Sequence, residues 1–115
     1  MINELSPADI HRLLNDHEIL LVDVREPQEF ATARIHGAML FPLSSFDPLA
    51  LPAADKVRIV FHCGSGKRSS VAVMRCQQAG LSHCEHMAGG IQAWTAERLP
   101  TVTLDPTSGG VIDRR

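Results

Sequence analysis

No apolar run in the 115-residue chain approaches ~18 residues, so nothing in it reads as a membrane span. Met1 to Leu14 mixes acidic and polar side chains with apolar ones. It lacks the basic start and apolar stretch of a signal peptide, so the expected location is the cytoplasm. Cysteine is scarce, with only Cys63, Cys76 and Cys84. An odd, low count in a chain expected to carry no leader argues against a disulfide framework and leaves at least one thiol free. Neither sign of charge is in excess: the formal net charge is −2, so the surface as a whole does not suit nucleic acid, and any anion site must be local. There is no internal repeat and no low-complexity tract. What remains, 44% hydrophobic and 21% charged residues, is ordinary for a single soluble domain with one packed core.

Strand-like and helix-like stretches alternate along the chain, the pattern of an α/β domain with a mainly parallel sheet. Ser6-Pro7 with Asp9 is a helix start, and Ile10, Leu13 and Leu14 then share one helical face. Ile19 to Asp23 and Arg58 to His62 are short apolar runs, as expected for strands covered on both sides. Pro27 to Ala31 reads as a short helix and Ala38 to Phe41 as a short strand. Ser69 to Ala79 is a helix with Ala72, Cys76 and Ala79 on one face and Gly80 as its stop. Cys84 to Met87 is a last strand and Ile91 to Glu97 a last helix carrying Trp94. The expected division is a domain over residues 1–100 and a tail or linker over 101–115. Pro106 and the run Ser108-Gly109-Gly110 give that tail little structure of its own.

The chemistry concentrates in Cys63-Gly64-Ser65-Gly66-Lys67-Arg68-Ser69, between a buried strand and a helix. In a parallel sheet, ligands gather outside the carboxyl ends of the strands. Two glycines let the loop curl, and a curled loop entering a helix turns several N–H groups inward as a cradle for negative charge. Those dipoles, with Lys67 and Arg68 close by, favour thiolate over thiol. Comparable surroundings bring a cysteine pKa from about 8.5 into the range ~3.5–7.5, and the thiolate is the nucleophile. As a core sequence, Gly-Ser-Gly-Lys-Arg-Ser is poor, which weighs against reading Cys63 as a small buried hydrophobe.

Five segments in order resemble the rhodanese family of single-domain sulfurtransferases. They are Asp23-Val24-Arg25-Glu26 with Glu29-Phe30, Ile35-His36-Gly37-Ala38, Phe41-Pro42-Leu43, Phe61-His62-Cys63 through Arg68-Ser69, and Gly89-Gly90-Ile91 with Ala93-Trp94. The resemblance implies a five-stranded, mostly parallel sheet with helices on both faces. It implies that Cys63 is catalytic and takes sulfur as a persulfide from a small anionic donor such as thiosulfate. The sulfur then passes to a thiol or protein acceptor, without metal or organic cofactor. Gly64, Ser65, Gly66, Lys67, Arg68 and Ser69 would bind the donor, with Arg25 approaching from the neighbouring strand end. Many members carry Arg directly after the cysteine, where this chain has Gly64.

Other readings use the same residues. A persulfide relay or carrier would also work through Cys63. A cysteine-loop phosphatase or arsenate reductase would need five residues between cysteine and arginine, whereas Gly64 to Lys67 supply four. A non-catalytic binding module would have no use for the cysteine. His83, Cys84 and His86 cluster without the spacing of a closed metal site. Strand alternation turns His62 away from Cys63, toward packing. Cys76 is expected to be inert, Cys84 to be a strand-core residue or a second thiol, and Asp23 to cap a turn or anchor Arg25.

Overall fold

The computed structural model describes residues 1–115. Its elements in chain order are β1 (Asn3–Leu5), α1 (Pro7–Asn15), β2 (Leu20–Asp23), α2 (Pro27–Thr32), β3 (Ala33–Arg34), β4 (Met39–Leu40), β5 (Ile59–His62), α3 (Lys67–Gln78), β6 (Glu85–Met87), α4 (Gly90–Ala96), β7 (Val102–Leu104) and β8 (Val111–Asp113). Two 3₁₀ turns, Leu43–Ser45 and Pro48–Ala50, bridge β4 to β5. The main sheet has five strands in the order β1-β6-β5-β2-β4, all parallel. No helix is long and apolar enough to cross a membrane.

The two central strands show why the sheet sits where it does. All four residues of β5 are buried, and alternate ones feed opposite layers. Ile59 and Phe61 join Val22, Val24, Ala72, Val73 and Cys76, so α3 covers that face. Val60 joins Leu21, Ile10, Ile91 and Trp94, so α1 and α4 cover the other. Burying a side chain of this size contributes about 1.5–3 kcal/mol. α1 begins as its sequence dictates: the Asp9 N–H donates to Ser6 Oγ at 3.1 Å, with Pro7 in the first turn. A cap of this kind stabilises by about 1 kcal/mol. The Trp94 indole N–H donates to the Pro100 carbonyl at 2.9 Å, fixing where the chain leaves α4.

The expectation of an unstructured 101–115 stretch is corrected. Residues 102–104 and 111–113 form an antiparallel hairpin, and β7 also pairs with β3. Thr101 and Val102 are buried. The Pro-Gly-rich run is the hairpin's turn: Asp105 accepts from the Thr107 N–H and the Ser108 hydroxyl, each at 3.0 Å, and its own N–H donates to the Gly110 carbonyl at 2.8 Å. Two triplets rich in Val, Thr and Ile flanking an Asp-Pro-Thr-Ser-Gly-Gly turn are a hairpin signal, one masked by the linker-like composition between them. β1 and β3 are also additional to the expected elements, being only three and two residues long.

Candidate active site

β5 delivers Cys63 to the carboxyl edge of the sheet, and the chain then turns through Gly64–Gly66 into α3. Gly66 adopts φ +105°, a left-handed conformation that suits glycine, and serves as the N-cap of α3. This geometry aims helix amides at the sulfur. The Gly66 N–H donates to Cys63 Sγ at 3.1 Å and the Ser69 N–H at 3.3 Å. The first-turn amides of a helix have no carbonyl partners of their own, and here a sulfur serves as one. The Ser69 hydroxyl oxygen lies 3.6 Å from Sγ. Burial raises the Cys63 pKa, but the Ser69 hydroxyl and the N–H groups of Ser69, Gly66 and Ser65 outweigh it and bring the thiol below its ordinary 9.0. Cys63 itself is fully buried. Gly64 and Gly66 are half-buried, while Ser65 and Lys67 are exposed.

The loop is held in this shape from α4. The Ile91 N–H donates to the Cys63 carbonyl at 2.8 Å and the Gln92 N–H to the Gly64 carbonyl at 3.1 Å. Both carbonyls thereby face α4, which leaves N–H groups to face the sulfur. The contact is so close that a Cβ on Gly90 would stand 2.4 Å from the Cys63 carbonyl oxygen and 2.6 Å from the Gly64 carbonyl carbon. Gly90 also has φ +60°. Its place in the sequence is therefore explained by backbone approach.

The cations are not arranged as the sequence implies. Arg68 makes a two-pronged ion pair with Glu29 of α2, at 2.7 and 3.0 Å, and both side chains are half-buried. The Arg68 hydrogen bonds hold the Glu29 pKa down at about 2. A Cβ on Gly64 would lie 3.2 Å from Arg68 Nη2, so the missing side chain gives Arg68 room to fold toward Glu29. Lys67 takes part in no ion pair. Arg25 is buried, and its Nε and Nη2 bond both carboxylate oxygens of Asp23 at 2.8–3.1 Å and the Ala33 carbonyl at 2.6 Å. Asp23 both caps the turn, accepting from the Arg25 N–H at 2.9 Å, and anchors the guanidinium. Its register partner His62 is also fully buried, with Nε2 3.5 Å from Asp23 Oδ2 and without a hydrogen-bond partner. Burial holds the His62 pKa below its ordinary value, against the pull of Asp23.

The remaining thiols and histidines separate. Cys76 is fully buried on the core face of α3, and burial pushes its pKa up to about 11. Cys84 precedes β6 at the level of Ile59, about 13 Å along the sheet from Cys63. His83 Nε2 lies 2.7 Å from the Pro52 carbonyl. His86 turns to the loop after Cys63, with Nδ1 2.8 Å from Ser69 Oγ. Sequence reasoning placed Ser69 in the site but missed His86 and Glu29, because neither lies in the loop. Only the β5–β6 register and the packing of α2 bring them there.

The rhodanese-like domain family matches residues 6–97. A sulfurtransferase of Allochromatium vinosum is 35% identical over 89% of this chain and 96% of its own length. An uncharacterized protein of Synechocystis is 38% identical over 85% of this chain, which spans only 55% of that relative. The crystal structure of a rhodanese-related protein from Thermoplasma volcanium superposes with a TM-score of 0.75 at 28% identity, covering 87% of this chain and 97% of the other. A family match across nearly all the sheet and both flanking helix layers leaves one assignment: this chain belongs to the rhodanese-like domain family.

Proposed function

We propose that the protein is a sulfurtransferase that carries sulfane sulfur on Cys63. The observation that carries this reading is the pair of amides at the start of α3, those of the N-cap Gly66 at 3.1 Å and of Ser69 at 3.3 Å, converging with the Ser69 hydroxyl on a thiol whose pKa they lower. In the first step the Cys63 thiolate attacks the outer sulfur of a donor. With thiosulfate, a Cys63–sulfur bond forms, the donor's sulfur–sulfur bond breaks, and sulfite leaves with the bonding electrons. The persulfide anion replaces the thiolate as the charge facing the amides of the loop, Gly64 to Ser69. In the second step a thiolate acceptor attacks the outer sulfur, and Cys63 departs as thiolate, restoring the start. Lys67, together with Arg68 when released by Glu29, supplies positive charge at the mouth. Arg25 contributes through its charge, because its Nε and Nη2 hydrogen bonds go to Asp23 and Ala33.

The Arg68–Glu29 pair favours a second form of this reading, in which the physiological donor is a protein or small-molecule persulfide with less charge than thiosulfate. The relay uses the same sulfur and the same amides. Intact-mass measurement after incubation with thiosulfate tests the core of both. The expected gain is about 32 Da, one sulfur atom on a thiol. It should disappear in Cys63→Ser and on treatment with excess thiol. A gain that survives Cys63→Ser overturns the assignment. Faster loading from a persulfide donor than from thiosulfate selects the relay form.

A further inference from the structure

Behind Cys63, three side chains from three different elements continue in a line. Ser69 Oγ, on α3, is 3.6 Å from Cys63 Sγ and 2.8 Å from His86 Nδ1 on β6. The other ring nitrogen, Nε2, is 3.8 Å from Glu4 Oε2 on β1. Ser69 and His86 are buried, while Glu4 reaches solvent. Glu4 is the register partner of His86 in the parallel β1–β6 pair, so the sheet itself sets that approach. On the opposite side β5 presents Phe61, which is apolar, and the neighbouring Glu85 carboxylate is turned to Arg58 at 2.8–2.9 Å.

We propose that this line is a proton relay for the ionisation of Cys63, with His86 as a positioning residue that holds the proton. The Ser69 hydroxyl has one proton and three neighbours able to accept it: Cys63 Sγ, His86 Nδ1 and, at 3.2 Å, the Gly66 carbonyl. When Cys63 is a thiol, its S–H points to Ser69 Oγ and the Ser69 hydroxyl donates to Nδ1. When Cys63 is a thiolate, the hydroxyl turns to the sulfur, and two bare acceptors would then face each other at 2.8 Å unless Nδ1 carries a proton. The ionisation therefore breaks the Cys63 S–H bond, passes that proton to Ser69 Oγ, and passes the Ser69 proton to His86 Nδ1. The products are a thiolate and an imidazolium whose Nε2–H faces the Glu4 carboxylate. No proton is gained or lost overall. Burial lowers the His86 pKa against the pull of Glu4, which favours the neutral ring while Cys63 is a thiol.

This inference rests on Cys63 being the reactive sulfur, but its test needs no sulfur donor. Nitrogen chemical shifts of His86 report where its protons are. In the unaltered protein His86 should hold its second proton to higher pH than in Cys63→Ser, because only the thiolate partner favours the imidazolium. The complementary variant, His86→Asn, keeps a hydrogen-bonding group near the Nδ1 position but cannot store a proton. It should slow iodoacetamide modification of Cys63 at pH 6 about tenfold, the equivalent of losing one good hydrogen bond to a charged group, and shift the pH profile of that reaction upward. The same His86 titration in both backgrounds overturns the relay, as does an unmoved alkylation profile in folded His86→Asn. If His86→Asn does not fold, the Cys63→Ser spectra decide alone. A protein that gains the sulfur mass yet shows no coupling refutes the relay and leaves the persulfide reading intact.

Discussion

Cys63 and Cys76 belong to the same hydrophobic cluster and are equally buried, yet their environments move them in opposite directions. Cys76 sits mid-helix, where every nearby amide is already bonded within α3. Burial acts on it unopposed and pushes its pKa to about 11. Cys63 sits one turn before the same helix, where the Ser69 hydroxyl and first amides with no carbonyl to meet donate to it, and together they outweigh the loss of water. The difference teaches that position relative to a helix end, more than exposure, decides which way a buried thiol's pKa moves here.

The most disruptive way to break that contrast is Gly90→Ala. A methyl group 2.4 Å from the Cys63 carbonyl oxygen cannot be absorbed by a flexible side chain, because the atoms it meets are backbone. With the additional strain of φ +60°, we expect a loss of about 3 kcal/mol or more in urea unfolding. In whatever fraction folds, the Cys63 pKa should rise toward that of an ordinary thiol. A stable Gly90→Ala protein with undiminished Cys63 reactivity would show that α4 does not shape the loop.

The contrast itself is measured by iodoacetamide labelling at pH 7 with peptide mapping. A thiol at 11 has at least about a hundredfold less thiolate than one below 9.0. The higher intrinsic nucleophilicity of the more basic thiolate returns part of that, so Cys63 should label at least about tenfold faster than Cys76. Equal rates would mean that access through local opening, which both require, governs reactivity. A smaller effect is expected at the mouth. Glu29→Gln keeps the acceptor for the Glu26 N–H at 3.0 Å but removes the charge that engages Arg68. Half-exposed ion pairs are worth up to about 1 kcal/mol, so KM for thiosulfate should fall by about fivefold at most. An unchanged KM would remove Arg68 from donor capture.

Much of this arrangement is legible in the sequence where local chemistry decides it. Ser6-Pro7 starts α1, the apolar runs become β2 and β5, and the glycine loop between strand and helix forms the amide cradle. What stays hidden depends on contacts far apart in the chain. β1 reads as polar because it is a three-residue edge strand, and its pairing with β6 is what brings Glu4 to His86. Arg68 reads as a free cation because its partner Glu29 is 39 positions away on α2. His86 reads as one of a loose cluster with His83 and Cys84. Only the side-by-side placement of β5 and β6 shows that it faces Ser69 while His83 faces Pro52.

The mildest test uses stability alone. Cys63 has a lower pKa folded than unfolded, so its contribution is fully present above pH 9.0 and is lost as pH falls through the folded value. Cys76 has a higher pKa folded than unfolded. Above pH 9.0 the unfolded chain gives up that proton first, and stability declines toward pH 11. The two thiols therefore bend the profile in opposite senses on either side of the same pH. Urea unfolding between pH 7 and 10 should show that Cys63→Ser removes part of the rise below pH 9. Cys76→Ala, whatever constant cost its cavity imposes, should remove a decline of about 1 kcal/mol at pH 10. If Cys63→Ser instead removed a decline above pH 9.0, as Cys76→Ala should, burial would be acting alike on the two sulfurs. The amides around Cys63 would then contribute nothing that the core does not.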